Sequence, residues 1–230
     1  DRIDSLIGLI AIGMRPSASA DPFGLRRAAL GIVQIAAEHA LSLSLRELFQ
    51  QAGALLPVEC GPEAVEEAVE FVAGRLRTWM LEQGLPNDVV EAALAENTDN
   101  PHRAYRMARE LSRWVARADW PLILASYSRC VRIVRDQGET YPLRPDLFVE
   151  PATRALYQAY LECSSKIDPA SGVDQFFAAF LPMIEPIQRF FDDVLVMAED
   201  ATLRENRLAL LQRIAALTAG IADLSRLEGF

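Results

Sequence analysis

Lysine is nearly absent from this chain. Of its 23 basic residues 22 are arginine, and Lys166 stands alone. Cysteine is also sparse. Cys60, Cys130 and Cys163 are odd in number and widely spaced, which fits neither a disulfide framework nor a zinc site. They are expected as buried free thiols in a reducing cytosol. The two histidines, His39 and His102, have no neighbour in sequence that completes a metal site or a catalytic triad. His39, near a helix C-terminus, reads as a dipole or capping residue. There is no Gly-rich phosphate loop and no His-Glu-x-x-His pair. Glu63, Glu66, Glu67 and Glu70 share one helix and read as a solvated face. No apolar run reaches 18 residues, so no membrane-spanning helix is expected. Sustained strand alternation and internal repeats are both missing, which excludes a sheet-based fold.

Alanine and leucine dominate, and half of the residues are apolar. This composition predicts an all-α helical bundle. Helices are expected over residues 1–12, from Asp21-Pro22 to His39, and over 45–52, 63–82, 87–95, 101–118, 120–136 and 151–166. Asp21, Asn87 and Asn100 are the expected caps, and Gly84 is a C-terminal stop. Residues 137–151, rich in proline, read as an irregular connection. A helical stretch over 174–198 should break or kink at Pro182 and Pro186. Asp200 caps a last helix expected to run to about Leu227. The chain opens at Asp1, directly on the amphipathic pattern Ile3, Leu6, Ile7, Ile10, and is read as a piece of a longer protein.

The net charge of −9 conceals a strong asymmetry. Residues 103–135 hold eight arginines against Glu110 and Asp119, a local charge of +6 in a chain otherwise at −15. Local field governs docking more than the total does. On a helix over 101–118, Ala104, Met107, Ala108, Leu111, Val115 and Ala118 fall in one arc. Arg103, Arg106, Arg109, Arg113 and Arg117 fall in the opposite arc. That arc is either a track for an RNA backbone or a solvated face paired to acids elsewhere. Trp114, Trp120 and Tyr127 are either core residues or stacking surfaces for unpaired bases. In the final helix Leu203, Leu210, Ile214, Leu217, Ile221 and Leu224 form a core stripe. Arg207 lies near its buried side, with its head expected to meet Asp192 or Asp193. Arg204 is either an RNA contact or a surface ion pair.

Two runs carry a resemblance. One is Asp21-Pro22-Phe23-Gly24-Leu25-Arg26-Arg27, preceded by Gly13-Met14-Arg15-Pro16-Ser17. The other is Phe190-Phe191-Asp192-Asp193-Val194, followed by Asp200 and by Arg204, Asn206 and Arg207. Together they resemble the C-terminal region of the β subunit of bacterial two-subunit glycyl-tRNA synthetase. Ser128 to Ile133 departs from that family's usual Lys-Arg-Val-x-Asn-Ile run and keeps only Arg129 and Ile133. Thr153 stands where an acid is usual, and Ala20 where a lysine is.

The resemblance implies two regions. Residues 1–56 would be the last helices of an HD-like region. Residues 57–230 would be a helical anticodon-binding domain of the arginyl-tRNA synthetase kind, with 101–230 its most specific part. It implies a cytoplasmic α2β2 ligase that charges glycine tRNA. Its α subunit holds ATP and magnesium, and this chain supplies tRNA recognition without catalytic residues, metal or cofactor of its own. The partners are then glycine tRNA and the α subunit, with no membrane and no DNA. Arg103, Arg106, Arg113, Arg117, Arg129, Arg132 and Arg204 are the expected tRNA contacts. Asp21, Arg26, Arg27, Asp192, Asp193, Asp200, Asn206 and Arg207 are the motif's structural residues. The rival expectation is an all-helical protein-interaction module that binds no RNA. A metal phosphohydrolase remnant finds no convergent ligands.

Overall fold

A computed structural model describes residues 1–16 and 20–230. Residues 17–19, which include Ser17 of the first motif and part of the loop expected over 13–20, lie outside the described residues. Among the described residues the secondary structure is entirely helical, with no strand. The chain divides into two compact units, residues 1–109 and 110–230. The division falls inside the helix Pro101–Val115, whereas residue 57, the boundary expected from the sequence, lies within the first unit.

The first unit comprises α1 (Arg2–Ala11), α2 (Leu25–Glu38), α3 (Leu45–Gly53), α4 (Pro62–Glu82), α5 (Asn87–Asn97) and the start of α6 (Pro101–Val115). α4 packs on α1, α2, α3 and α5. Leu6, Ile7, Val33, Phe49, Val72, Leu76 and Met80 are fully buried in this unit. α2 begins later than expected. The Asp21 carboxylate accepts from the backbone N–H of Leu25 (2.8 Å) and of Arg26 (3.0 Å). Reaching those groups takes a turn through Pro22 and Phe23, closed by Gly24 at φ +67°, a left-handed conformation natural to glycine. Asn87 is not a cap. It is the first residue of α5, and its Oδ1 accepts from Arg77 Nη2 at 2.7 Å. Asn100 does cap α6, accepting from the Arg103 N–H at 3.0 Å.

The second unit begins with the last turns of α6. It continues with α7 (Trp120–Val134), α8 (Pro151–Ser164), α9 (Val173–Phe180), α10 (Ile184–Asp193) and α11 (Ala201–Ala215). α7 packs on α11, and α8 on α9 and α10. Aromatic rings fill the centre. Phe177 lies 4.9 Å from Trp114 and 5.3 Å from Trp120, and Tyr127 meets Phe176 and Phe180 edge-on. All three ambiguous aromatics, Trp114, Trp120 and Tyr127, are buried core residues.

Three expected spans are shorter in the structure. α6 ends at Val115, which leaves Arg117 and Ala118 beyond it. The stretch over 174–198 breaks at Pro182, in a 3-10 turn over Leu181–Met183, while Pro186 sits harmlessly in the first turn of α10. α10 stops at Asp193 because Val194 is extended, and Val194 and Val196 alternate inward with Leu195 and Met197 outward. α11 ends at Ala215 instead of near Leu227. The Tyr127 hydroxyl donates to the Ala215 carbonyl (2.7 Å) and pairs with the Thr218 hydroxyl (2.8 Å). The chain then turns through Gly220 at φ +72°. The core stripe on α11 is also broader than expected, since residues 206–211 are all buried.

Candidate nucleic-acid interface

The arginines of α6 form the expected arc, but neighbouring groups occupy most of them. In the first unit, Arg103 Nε donates to Asn97 Oδ1 at 2.9 Å. The Nε of Arg106 is shielded from solvent. Arg109 lies over the Tyr105 ring, 5.6 Å from its centroid. In the second unit, Arg113 Nη2 donates to Asp174 Oδ2 at 2.6 Å, while the other oxygen of Asp174 accepts from Trp114 Nε1 at 2.8 Å. Arg117 grips Asp119 with two hydrogen bonds, 2.8 and 2.7 Å, and lies 4.5 Å from the Trp114 ring centroid. The hydrogen bonds from Arg117 hold the Asp119 carboxyl below its ordinary pKa, and those to Asp119 raise the guanidinium's.

α7 of the second unit carries two exposed arginines beside a cleft. Tyr127, Cys130 and Val134 face the core. Ala125, Ser128, Arg129, Arg132 and Ile133 recur at helical spacing on another face. With Phe191 of α10 and Gly229 they line a cleft of about 560 Å3. The Arg129 guanidinium sits 4.2 Å from the Phe191 ring centroid, and Arg132 lies 5.7 Å from that of Phe230. Both arginines are exposed. Among the described residues neither has a carboxylate partner. Cation–π contact orients a guanidinium without neutralising it. Burial pushes the Cys130 thiol up to about 12 against the opposing charge of Arg129, so on the core side of α7 that group stays uncharged.

Arg204 is turned toward the backbone, where its Nη1 donates to the carbonyls of Ala198 (2.9 Å) and Glu199 (3.4 Å). Asp200 caps α11 as expected, accepting from the N–H groups of Thr202 (2.8 Å) and Leu203 (3.2 Å). Arg207 does not meet Asp192 or Asp193. It is 7% exposed, pairs with Glu150 through Nη2, and donates from Nη1 to the Leu195 carbonyl at 2.8 Å. Asp193 pairs with Arg189 at 3.5 Å, and Asp192 is exposed at the end of α10. The reason is direction: Arg207 sits on the inward side of α11, facing the start of α8, while both aspartates close α10 at the surface.

Three residues that carry this region were not legible beforehand. Glu150 accepts from Arg207 and from the Thr153 hydroxyl (3.0 Å). Asp174 is shared by Arg113 and Trp114. Glu110 accepts from the Asp174 N–H at 3.0 Å and so caps α9 from another helix. Glu150 alone had a local signal, since it precedes Pro151 at a helix start.

The family model described as Glycyl-tRNA synthetase beta subunit matches residues 1–95. A glycine–tRNA ligase β subunit of Desulforudis audaxviator is 36% identical over 98% of this chain, and one of Moorella thermoacetica is 36% identical over 99%. Along nearly its whole length the chain is similar to glycine–tRNA ligase β subunits. A chloroplastic/mitochondrial glycine–tRNA ligase of Arabidopsis thaliana is 37% identical over 100% of the chain. The chain spans about a third of the bacterial β subunits it matches (34%) and 22% of the Arabidopsis protein. The cleft beside Arg129 lies beyond the residues matched by the family model and inside those matched by the β subunits.

Proposed function

We propose that this chain is the tRNA-recognition portion of a glycine–tRNA ligase β subunit, with its anticodon-binding surface in the second unit. It serves ATP-dependent charging of glycine tRNA in protein synthesis. ATP and magnesium act at an α subunit in the α2β2 cytoplasmic enzyme, and this chain performs no bond-making step. Among the described residues no group of three or more His, Cys, Asp or Glu side chains could hold a metal ion.

The observation that carries the reading is the cleft of Arg129, Arg132, Ser128 and Phe191. Anticodon bases are unstacked and present their pairing edges. A guanidinium held over an aromatic ring can offer its other side to a base, and the neighbouring arginine is available for phosphate. Glycine anticodons share cytosines at the second and third positions. Cytosine presents an amino donor together with acceptors, so its site needs a carboxylate or carbonyl beside an arginine. Asp192, exposed and directly after Phe191, is the candidate carboxylate. Each well-placed base contact discriminates by about 1–3 kcal/mol. Of the expected contacts, Arg129 and Arg132 take the direct roles. Arg103, Arg106, Arg113, Arg117 and Arg204 act, if they touch RNA, while still holding their protein partners.

Fluorescence anisotropy with glycine tRNA tests this. Arg129→Ala and Arg132→Ala should each weaken binding, and Arg132→Ala, which removes the phosphate contact, should also reduce the log–log salt slope by about 0.7–0.9. Replacing the anticodon cytosines should weaken binding to the unaltered chain. Equal affinity for both tRNAs would refute base reading. No binding of glycine tRNA even at low salt would favour the protein-interaction module instead.

A further inference from the structure

Three arginines converge on a small cavity in the first unit. Arg26 and Arg27 come from the first turn of α2, and Arg75 comes from α4. With Leu30, Thr78, Trp79 and Glu82 they line about 130 Å3. Like charges held together disfavour one another's charged form unless opposite charge balances them. Elsewhere in this unit arginines find carboxylates: Arg15 with Glu67, Arg46 with Glu66, Arg77 with Glu91. Among the described residues Arg27 and Arg75 have no such partner. Glu82 is the single carboxylate in the lining.

Gly24 helps to build the cluster. A Cβ at that position would lie 2.9 Å from Arg27 Nη2. The missing side chain thus leaves the surface on which the Arg27 guanidinium rests, at the turn that opens α2. The motif Asp21 to Arg27 thereby does two things: it caps a helix, and it delivers two arginines to one side of it.

Size and walls restrict the ligand. Sites that engulf a small molecule enclose about 300–1,000 Å3, well above this cavity's volume. Trp79 is buried, and its ring is occupied by Tyr105 at a centroid distance of 4.7 Å. No aromatic face is left for a base. The cavity suits a single compact anion carried by a larger molecule.

We propose that Arg26, Arg27 and Arg75 bind a backbone phosphate of RNA, a contact in the first unit that is independent of base sequence. This rests on the tRNA reading above and adds a second point of attachment, distinct from the cleft of α7. Glu82 opposes the anion and limits its affinity.

The test is tRNA binding by the chain across a salt series. Arg27→Ala and Arg75→Ala should each lower the log–log salt slope, by up to the roughly 0.7–0.9 that one phosphate contact contributes. They should weaken glycine tRNA and the cytosine-replaced tRNA by the same factor. Glu82→Gln should strengthen both, and it keeps the proposal testable should the arginine variants lose their fold by circular dichroism. An unchanged slope in Arg27→Ala and Arg75→Ala, with a lowered one in Arg132→Ala, would overturn this site and leave the tRNA reading intact. An unchanged slope in all three would remove both. Inorganic phosphate, titrated by NMR, provides the remaining arm. If it binds the unaltered chain but not Arg27→Ala, and the tRNA slope stays constant, the cavity is a site for free phosphate and the RNA contact is rejected.

Discussion

The side-chain amide of Asn206 and the backbone of Arg144 exchange two hydrogen bonds. The Arg144 N–H donates to Asn206 Oδ1 and Asn206 Nδ2 donates to the Arg144 carbonyl, each at 2.8 Å. Six residues along α11, Gln212 repeats the pattern, donating to the Glu139 carbonyl (2.7 Å) and accepting from the Tyr141 N–H (3.1 Å). The segment between α7 and α8 has only a short 3-10 turn of its own, so these amides replace the ladder it lacks.

Asn206→Ala should therefore destabilise the second unit by about 1–3 kcal/mol, since it leaves two backbone groups of a partly buried segment unpaired. Urea unfolding measures the loss, and limited proteolysis should show faster cleavage within 137–150. Gln212→Ala, at a more exposed position, should cost less. Equal, negligible effects would show that the connector holds itself.

Glu150 and Arg207 make stability depend on acid. Burial alone would raise the Glu150 pKa. Hydrogen bonds from its own backbone N–H and from Thr153, together with the Arg207 charge and hydrogen bond, outweigh burial and hold the carboxyl below its usual range. A depressed folded-state value means that the stabilisation is complete above the unfolded glutamate pKa of about 4.3 and is lost as pH falls through the lower folded value. Glu150→Gln should lower stability at neutral pH and flatten the acid limb of the unfolding midpoint against pH. Parallel curves for the two proteins would show that the pair does not contribute.

The thiols should react in a fixed order. Burial pushes Cys130 up to about 12 and Cys163 up to about 11, whereas Cys60 is half-exposed. The thiolate is the reacting species. In native protein at pH 8, a thiol reagent followed by peptide mapping should label Cys60 first, and should reach the other two only on unfolding. Early labelling of Cys130 would mean that α7 opens locally.

Gly24→Ala should cost about 1–2 kcal/mol, the price of a left-handed backbone for a residue with a side chain. The clash with Arg27 adds little, because the far end of that side chain moves aside. A calorimetric midpoint indistinguishable from that of the unaltered protein would contradict the role given to this turn.

Local chemistry was legible in the sequence, and distant chemistry was not. Asp21, Asn100 and Asp200 can be recognised as caps because the groups they bind lie within five residues of them. The apolar stripe of α6 and the arginine arc opposite it follow from helical spacing. The carboxylate that pairs with Arg113 does not: Asp174 reaches it from 61 residues away. In the same way Glu150 meets Arg207 across 57 residues. The end of α11 is set by Tyr127, 88 residues before the carbonyl it binds. Nothing near Ala215 announces a stop, and the apolar pattern runs on through Ile221 and Leu224. The α7 cleft was half visible. Arg129 and Arg132 stood among the candidates, but Phe191, which orients one of them, reads in sequence only as part of a motif.

Tyr127 is buried, yet its hydroxyl bonds where the polypeptide leaves α11. Were that helix to continue, each added residue would advance the chain about 1.5 Å along the axis and draw Gly229 and Phe230 away from Arg132. A deep change such as Tyr127→Phe would then surface as a reshaped wall of the α7 cleft. Its phenotype would be weakened recognition in a protein that still folds.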